Sequence, residues 1–199
     1  MPVTDDEIHE KYLERAIREI NALNHDVQEL ASEDGIAVIG SGHPQADVLL
    51  LKHHATRAEQ EEGVAFYGRS GQALMKSFAR LGIDPTTVYG TLGVKLPLDE
   101  LDASTEQASI RLLGEEIAIV QPRLIVVMGD DAVEALNRAE VPLSATVTAD
   151  PGLHQRFTPA ATVIVTPTID DALDDQAAKQ AFWLAFREVG AWHDALPPY

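Results

Sequence analysis

A short stretch of the chain, GVAFYGRSGQAL at residues 63–74, contains groups that can bind a phosphate and a flat ring. An amphipathic helix begins there, and free backbone N–H groups at a helix start, a hydroxyl and a guanidinium together suit an anion. The phosphate-binding candidates are Gly68, Arg69, Ser70 and Gly71. Just before them, Phe66 and Tyr67 offer ring faces on which a base can stack. The stretch therefore predicts a nucleotide-binding surface.

Structural roles remain open for the same residues. Ser70 can cap the helix while the glycines form the turn before it, and Phe66 and Tyr67 can pack in a core. The local charge is consistent with the binding role. Residues 52–80 carry five basic and three acidic side chains, a charge of +2, in a chain whose net charge is −17.

Two adjacent histidines, His53 and His54, follow the first strongly apolar run of the chain. An imidazole can act as a general acid or base because its reference pKa lies near neutrality, although the sequence names no carboxylate to orient it. Neighbouring side chains of an extended chain point to opposite sides, so the pair is a poor joint ligand for one metal ion. We expect no metal site here, and we interpret the following EQEE, residues 59–62, as a solvated loop.

The composition limits the class of protein. The 199 residues fit one domain, 1–199, with an N-terminal helix over 1–31 and a short tail over 194–199. The net charge of −17 argues against a general nucleic-acid binder. The chain has no cysteine, which excludes thiolate-held metal and iron–sulfur centres, and no cofactor is expected. An acidic start and the lack of a long apolar run predict a cytoplasmic protein with no membrane partner.

Four apolar runs alternate with helical patterns and must position the candidate residues. The predicted strands cover 48–52, 88–96, 122–129 and 161–168. The predicted helices cover 4–31, 71–81, 102–120, 130–139 and 176–190. Parallel strands joined by helices need both faces covered, so we predict an α/β fold, a three-layer α/β/α sandwich around a four-stranded parallel sheet. All strand carboxyl ends then share one edge, where ligands bind. The loops at that edge start at Lys52, Leu92, Gly129 and Thr166.

Several segments together resemble the uracil-DNA glycosylase superfamily, in particular its bacterial and archaeal iron–sulfur type, family 4. VIGSGHPQADVLLL resembles the segment that ends in the family's first strand, and GVAFYGRSGQALMKSFARLGI resembles its Gly-Arg-Pro-Phe-Val-Gly-Arg-Ser-Gly-Gln stretch. VYGTLGVKLP is similar to its Tyr-Ile-Thr-Asn-Val-Val-Lys-Cys segment, and IVQPRLIVVMGDDAVEAL to its Lys-Pro-x-x-Ile-Val strand and helix. The resemblance covers most of the chain after the first helix. It implies the same sandwich fold, with a uracil flipped from DNA and stacked on Phe66.

The chemical positions of the family are the ones that differ here. Its Gly-Glu-Ala-Pro-Gly loop supports the attacking water, and the acid of that loop falls on His53. Its base-reading asparagine falls on Leu92, which has no hydrogen-bonding group, and the histidine that stabilises the departing uracil falls on Thr168. Two cluster cysteines fall on Leu96 and Ser109. Loss of one anion-stabilising donor typically costs about 10²–10³ in rate, so ordinary uracil excision is not expected.

The sequence thus predicts a uracil-DNA-glycosylase-like protein that has kept the scaffold and lost classical uracil excision. It would act as a weak nucleotide or nucleic-acid binding module, or as a regulatory module. Its substrate-binding candidates are Phe66, Tyr67, Leu92 and Thr168. Two alternatives stay open. A divergent DNA glycosylase of base excision repair would use His53 or His54 on another base, and an acidic protein-interaction domain would bind a protein partner and no nucleic acid.

Overall fold

Helices and strands alternate along the residues that the computed structural model describes, 5–32 and 35–196. The helices are α1 (Asp5–Gln28), α2 (Arg57–Glu62), α3 (Arg69–Arg80), α4 (Ala103–Val120), α5 (Asp130–Arg138), α6 (Ile169–Asp174) and α7 (Gln176–Asp194). The strands are β1 (Ser41–Gly42), β2 (Val48–Lys52), β3 (Val88–Leu92), β4 (Leu124–Met128), β5 (His154–Arg156) and β6 (Thr162–Thr166). Residues 1–4 of the predicted first helix and residues 197–199 of the predicted tail lie outside the described part.

The sheet is mixed, in the order β1-β3-β2-β4-β6-β5. Its central strands β3, β2, β4 and β6 run parallel and correspond to the four predicted apolar runs. The predicted sheet of four parallel strands is nevertheless wrong in its strand number, because β1 and β5 add short antiparallel edges. These edges have two and three residues and are not fully buried, so they leave no apolar periodicity in the sequence.

Helices cover both faces of the sheet. Because side chains alternate along a strand, Leu49 and Leu51 of β2 pack in one core with residues of α1, α4 and α5. Val48 and Leu50 pack in the opposite core with residues of α3, α6 and α7. The α/β fold is therefore confirmed. In the described residues no helix is long and apolar enough to cross a membrane.

The register of the central strands brings their carboxyl ends together at one edge. Lys52 lies opposite Leu92 on β3 and opposite Met128 on β4, and Met128 lies opposite Thr166 on β6. The loops that follow these residues carry the predicted histidines, Thr168 and the aspartates at the start of α5. The edge predicted to hold a site is thus the place where these loops converge.

Candidate functional site

Most of the predicted site residues line one of two cavities, which share no lining residue. The first cavity, of about 440 Å³, is lined by the run from Phe66 to Gly68 and by Gly71, together with Ser41, Gly42 and apolar residues of α3 and β3. We call it the platform cavity. The second, of about 540 Å³, is lined by His53, His54 and Thr168. We call it the strand-end cleft. The structure therefore separates the predicted aromatic and phosphate-binding residues from the predicted catalytic ones.

The platform cavity is built on an unusual backbone turn. Phe66 has a φ of 58°, in the left-handed region that non-glycine residues adopt only when the surroundings impose it. A Cβ at Gly71 would lie 2.0 Å from the Phe66 carbonyl oxygen, so this position requires glycine. Tyr67, next to the strained residue, is 49% exposed at the mouth of the cavity. The turn therefore directs one aromatic side chain inward and the next one outward.

Two of the predicted phosphate-binding residues have other contacts. Helix α3 starts after Gly68, so Ser70 is its second residue and forms no cap, and the capping role considered for it is wrong. Ser70 is also buried, which keeps its hydroxyl away from the surface. Arg69 Nη2 donates to Asp174 Oδ1 at 2.7 Å, and both side chains are exposed. An exposed pair of this kind contributes little free energy, so Arg69 can exchange its partner at small cost.

A buried ion-pair network lies behind the cleft and next to Phe66. Lys52 Nζ donates to Glu59 Oε2 at 2.6 Å and to Asp170 Oδ2 at 2.9 Å. The same ammonium lies over the Phe66 ring, 5.4 Å from its centroid. We call Lys52, Glu59 and Asp170 the strand-end network. It places a charged side chain over one face of the ring on which the resemblance would stack a base.

Glu59 shows that the interpretation of EQEE as a solvated loop is wrong. These residues belong to α2, and Glu59 is fully buried. Besides Lys52, its carboxylate accepts hydrogen bonds from the backbone N–H and hydroxyl of Thr56 and from the backbone N–H of Phe66, at 2.5–2.7 Å. Glu59 thus fixes both the start of α2 and the strained turn. The available signal was a lysine at the end of a fully apolar strand, since a buried ammonium needs a carboxylate partner.

The strand-end cleft is strongly acidic at its rim. Four aspartates line it, Asp130, Asp131, Asp170 and Asp171. Asp170 Oδ1 is buried and accepts no hydrogen bond from any residue that the structure describes. A phosphate or another anion entering the cleft would meet these carboxylates at short range, which is unfavourable. Within the described residues no group of three or more His, Asp and Glu side chains is arranged to hold a metal ion.

His53 is half-buried in the cleft and His54 is exposed. Burial lowers the pKa of His53 below its ordinary value, and the negative charge of Asp131 opposes that shift only in part. The imidazole is therefore neutral at pH 7 and can accept a proton. Among the carboxylates, Asp131 acts most strongly on His53 and is the candidate for the orienting group that the sequence alone did not name.

Leu92 and Thr168 do not meet Phe66 in one ligand site. Leu92 is fully buried against Val38, Ala55 and Ala65 and lines neither cavity. Thr168 lines the cleft, but its hydroxyl accepts the backbone N–H of Asp170 at 3.1 Å and caps α6. The proximity of the strand ends in the sheet thus does not give the side chains a common cavity.

A second buried network was also missed by the sequence analysis. Lys95 Nζ donates to Glu116 Oε2 at 2.7 Å and to Thr91 Oγ1 at 2.5 Å. Glu116 also accepts hydrogen bonds from the Tyr89 and Thr91 hydroxyls. Burial, with the charge of Glu116 adding to it, raises the pKa of Tyr89. We call these four residues the inner network. It lines neither cavity and joins β3 to α4.

The residues at the cluster positions implied by the resemblance do not fit an iron–sulfur cluster. Leu96 is buried in the apolar core, and Ser109 Oγ accepts a hydrogen bond from the backbone N–H of Lys95 at 3.2 Å. The chain has no cysteine to supply a thiolate. These positions therefore serve packing and backbone hydrogen bonding.

Comparison with known proteins gives matches of different extent. The model of the uracil DNA glycosylase superfamily matches residues 39–188, from the segment before β1 into α7. A type-4 uracil-DNA glycosylase of Pyrobaculum aerophilum is 31% identical over 103 residues, which are 50% of this chain and 53% of that protein. The chain therefore spans about half the length of this curated relative. The family match includes both cavities and both buried networks.

Proposed function

Because the chain belongs to the uracil DNA glycosylase superfamily, we propose that it is a non-catalytic member that binds a nucleobase or nucleotide in the platform cavity. The observation that carries the proposal is the division of the site. Phe66, Tyr67, Gly68 and Gly71 share an open cavity of about 440 Å³, within the size range of small-ligand pockets. The catalytic candidates His53 and His54, by contrast, line a separate cleft together with Lys52, which is held by two carboxylates.

The surroundings of the cleft support the loss of uracil excision. Leu92 offers no hydrogen bond to a base edge and is fully buried. The Thr168 hydroxyl is engaged in capping α6. Glycosidic cleavage develops negative charge on the departing base, and the four aspartates at the rim would destabilise that charge. Ordinary uracil excision would lack its base reader, its acid and its anion stabiliser at once.

The platform cavity, with the first residue of α3 beside it, offers the groups that a weak nucleotide site needs. Tyr67 can stack on a base, and Arg69 can exchange the exposed Asp174 for a phosphate. The net charge of −17 repels a nucleic-acid backbone, so affinity is expected to be low and to fall further with salt. The proposed role is accordingly recognition of one base or nucleotide, with a regulatory rather than a chemical outcome.

Binding measurements test this proposal directly. We expect a fluorescently labelled oligothymidylate to bind at low ionic strength, and Tyr67→Ala to weaken that binding about tenfold through lost stacking. Tyr12→Ala is the matched control, because Tyr12 is similarly exposed, at 57%, but lies on α1. Arg69→Ala should make the affinity for oligothymidylate less dependent on salt concentration. Absence of binding by the unmodified protein, or equal losses in both tyrosine variants, would refute the proposal and favour an acidic protein-interaction domain.

The neutral, half-buried His53 favours one second candidate, a divergent DNA glycosylase that uses His53 or His54 to activate water. Alkaline cleavage of labelled duplexes that each contain one of several modified bases detects the abasic product. The non-catalytic proposal predicts no turnover on any of them. Turnover that His53→Ala abolishes, and that His9→Ala on α1 leaves intact, would establish the glycosylase instead.

A further inference from the structure

A groove between α3, α6 and α7 differs from the rest of this acidic molecule. It has a volume of about 280 Å³, and its lining contains three basic side chains, Lys76, Arg80 and Lys179, and no aspartate or glutamate. The floor is apolar, formed by Ile169, Ala172, Leu173, Phe182 and Trp183. In a chain with 32 acidic and 15 basic residues, this concentration of positive charge is opposite in sign to the average surface.

The three basic groups have no carboxylate partner in the described part of the chain, where the other exposed arginines of α3 and α5 do have one. Acidic residues close in sequence are engaged elsewhere. Asp174 accepts a hydrogen bond from Arg69, and Asp175 caps α7 by accepting the backbone N–H of Ala178. The groove therefore holds positive charge that the protein itself does not neutralise.

Arg80 is held in place by an aromatic side chain. Its guanidinium lies over the Trp183 ring, 4.3 Å from the centroid. A guanidinium over a ring face still directs its N–H groups outward in its own plane, where two of them can bind two oxygens of one phosphate. Lys76 and Lys179 add point charges on either side. The arrangement combines one bidentate donor with two flexible ammonium groups.

We propose that the groove between α3, α6 and α7 is a binding site for a phosphate group, carried either by a free nucleotide or by a nucleic-acid strand. Its volume equals that of roughly nine water molecules, which admits a phosphate and a small attached group. The apolar floor can accommodate that group, while the three basic side chains remain exposed at the rim. The site is independent of the platform cavity, because the two are lined by different residues of α3.

Intrinsic fluorescence reports on the site, since a phosphate bound by Arg80 changes the environment of Trp183. The chain has two tryptophans, and Trp192→Phe leaves Trp183 as the sole tryptophan, which is excited selectively over the tyrosines. Inorganic phosphate, thymidine 5′-monophosphate and a short oligothymidylate are titrated separately at low salt. We expect saturable fluorescence changes. For the oligothymidylate, the logarithm of the binding constant should fall by about 0.7 for each tenfold rise in salt and each strand phosphate contacted.

Charge-matched variants decide the assignment. In Lys76→Gln/Lys179→Gln both substitutions are in exposed residues, and we expect at least a tenfold loss of affinity. Lys11→Gln/Arg18→Gln removes the same charge from exposed positions on α1 and should bind like the parent. If the lysine double variant loses affinity for all three probes, the site binds free phosphates. If it loses affinity for the oligothymidylate alone, the site binds a nucleic-acid strand. Absence of any saturable change in the parent, or equal losses in both double variants, would overturn the proposal.

The same variants separate this proposal from the proposed function. Tyr67→Ala alters the platform cavity only, and the lysine pair alters the groove only. If the lysine pair weakens binding while Tyr67→Ala does not, the phosphate site stands and the platform proposal fails. The reverse result retains the platform and removes the groove.

Discussion

The inner network and the strand-end network contain the same pair of chemical groups, a buried lysine and a buried glutamate, in different surroundings. In the inner network the Lys95 and Glu116 side chains are each 1% exposed, and the hydroxyls of Tyr89 and Thr91 complete the hydrogen bonds. In the strand-end network the second carboxylate, Asp170, is 28% exposed and lines a cleft. The first network is closed to solvent and the second opens onto it.

The difference indicates which network is enclosed in the protein core and which borders a cleft. A closed, fully hydrogen-bonded network fixes the packing of β3 on α4 and offers nothing to a ligand. The strand-end network leaves Asp170 Oδ1 without a donor among the described residues. It also covers the Phe66 ring and holds Phe66 in a strained conformation. Unsatisfied atoms and strain persist where other contacts support them, often at functional positions.

The largest expected effect is that of Glu116→Gln. This change leaves the Lys95 ammonium buried without a negative partner, and we expect the free energy of unfolding to fall by about 3–5 kcal/mol. Denaturant unfolding followed by circular dichroism measures it. Lys95→Met/Glu116→Leu should recover much of the loss, though not all, because two buried hydroxyls lose their acceptor. If Glu116→Gln unfolds at the same denaturant concentration as the parent, the inner network does not stabilise the fold as proposed.

Glu59→Gln should have a smaller effect, a loss of about 1–3 kcal/mol, because Lys52 keeps Asp170 as a counter-charge. The expected loss comes from the backbone and hydroxyl donors of Thr56 and Phe66, which an amide satisfies less well. The same denaturant curves give the value. Asp170→Asn, at the partly exposed end of the network, is the matched comparison and should cost less still. Equal losses for Glu59→Gln and Glu116→Gln would remove the distinction between the two networks.

Most of the fold could be predicted from the sequence, whereas the buried networks could not. Strands β2 and β4 are continuous apolar runs, so local pattern suffices to identify them. Strands β1 and β5 are too short for a pattern and form only by pairing with β3 and β6. The burial of Glu59 depends on Lys52 and on the turn at Phe66, and Asp170 lies 118 residues from Lys52. Such contacts follow from tertiary packing and not from local composition.

The candidate site residues follow the strand ends in the sheet, as the sequence predicts, but their grouping into cavities depends on turns and on the direction of each side chain. Phe66 and His53 belong to loops at the same edge of the sheet, yet the side chain of Lys52 and the left-handed turn direct them to different cavities. An alignment with the family gives positions along the chain and not the direction of each side chain. The separation of the two cavities therefore required the structure.

The smallest expected effect concerns pH and distinguishes the open network from the closed one. Beside the strand-end network, burial lowers the pKa of His53; Asp131, Glu106 and Glu134 oppose the shift and His54 adds to it. Between this lowered pKa and the ordinary value of about 6.5, the unfolded chain binds a proton that the folded chain does not. The free energy of unfolding should therefore decrease as the pH falls through about 6.5, and His53 should contribute nothing above that value.

Thermal or denaturant unfolding between about pH 7.5 and pH 5 measures this dependence. His53→Gln should flatten the curve around pH 6, because the variant has no group at this position that is protonated only on unfolding. His9→Gln, an exposed substitution on α1, is the control and should keep the parent's slope. If His53→Gln retains the full slope, the cleft is not the source of the pH response. In the inner network the raised pKa of Tyr89 keeps that hydroxyl protonated throughout this range, so it should not contribute to the slope.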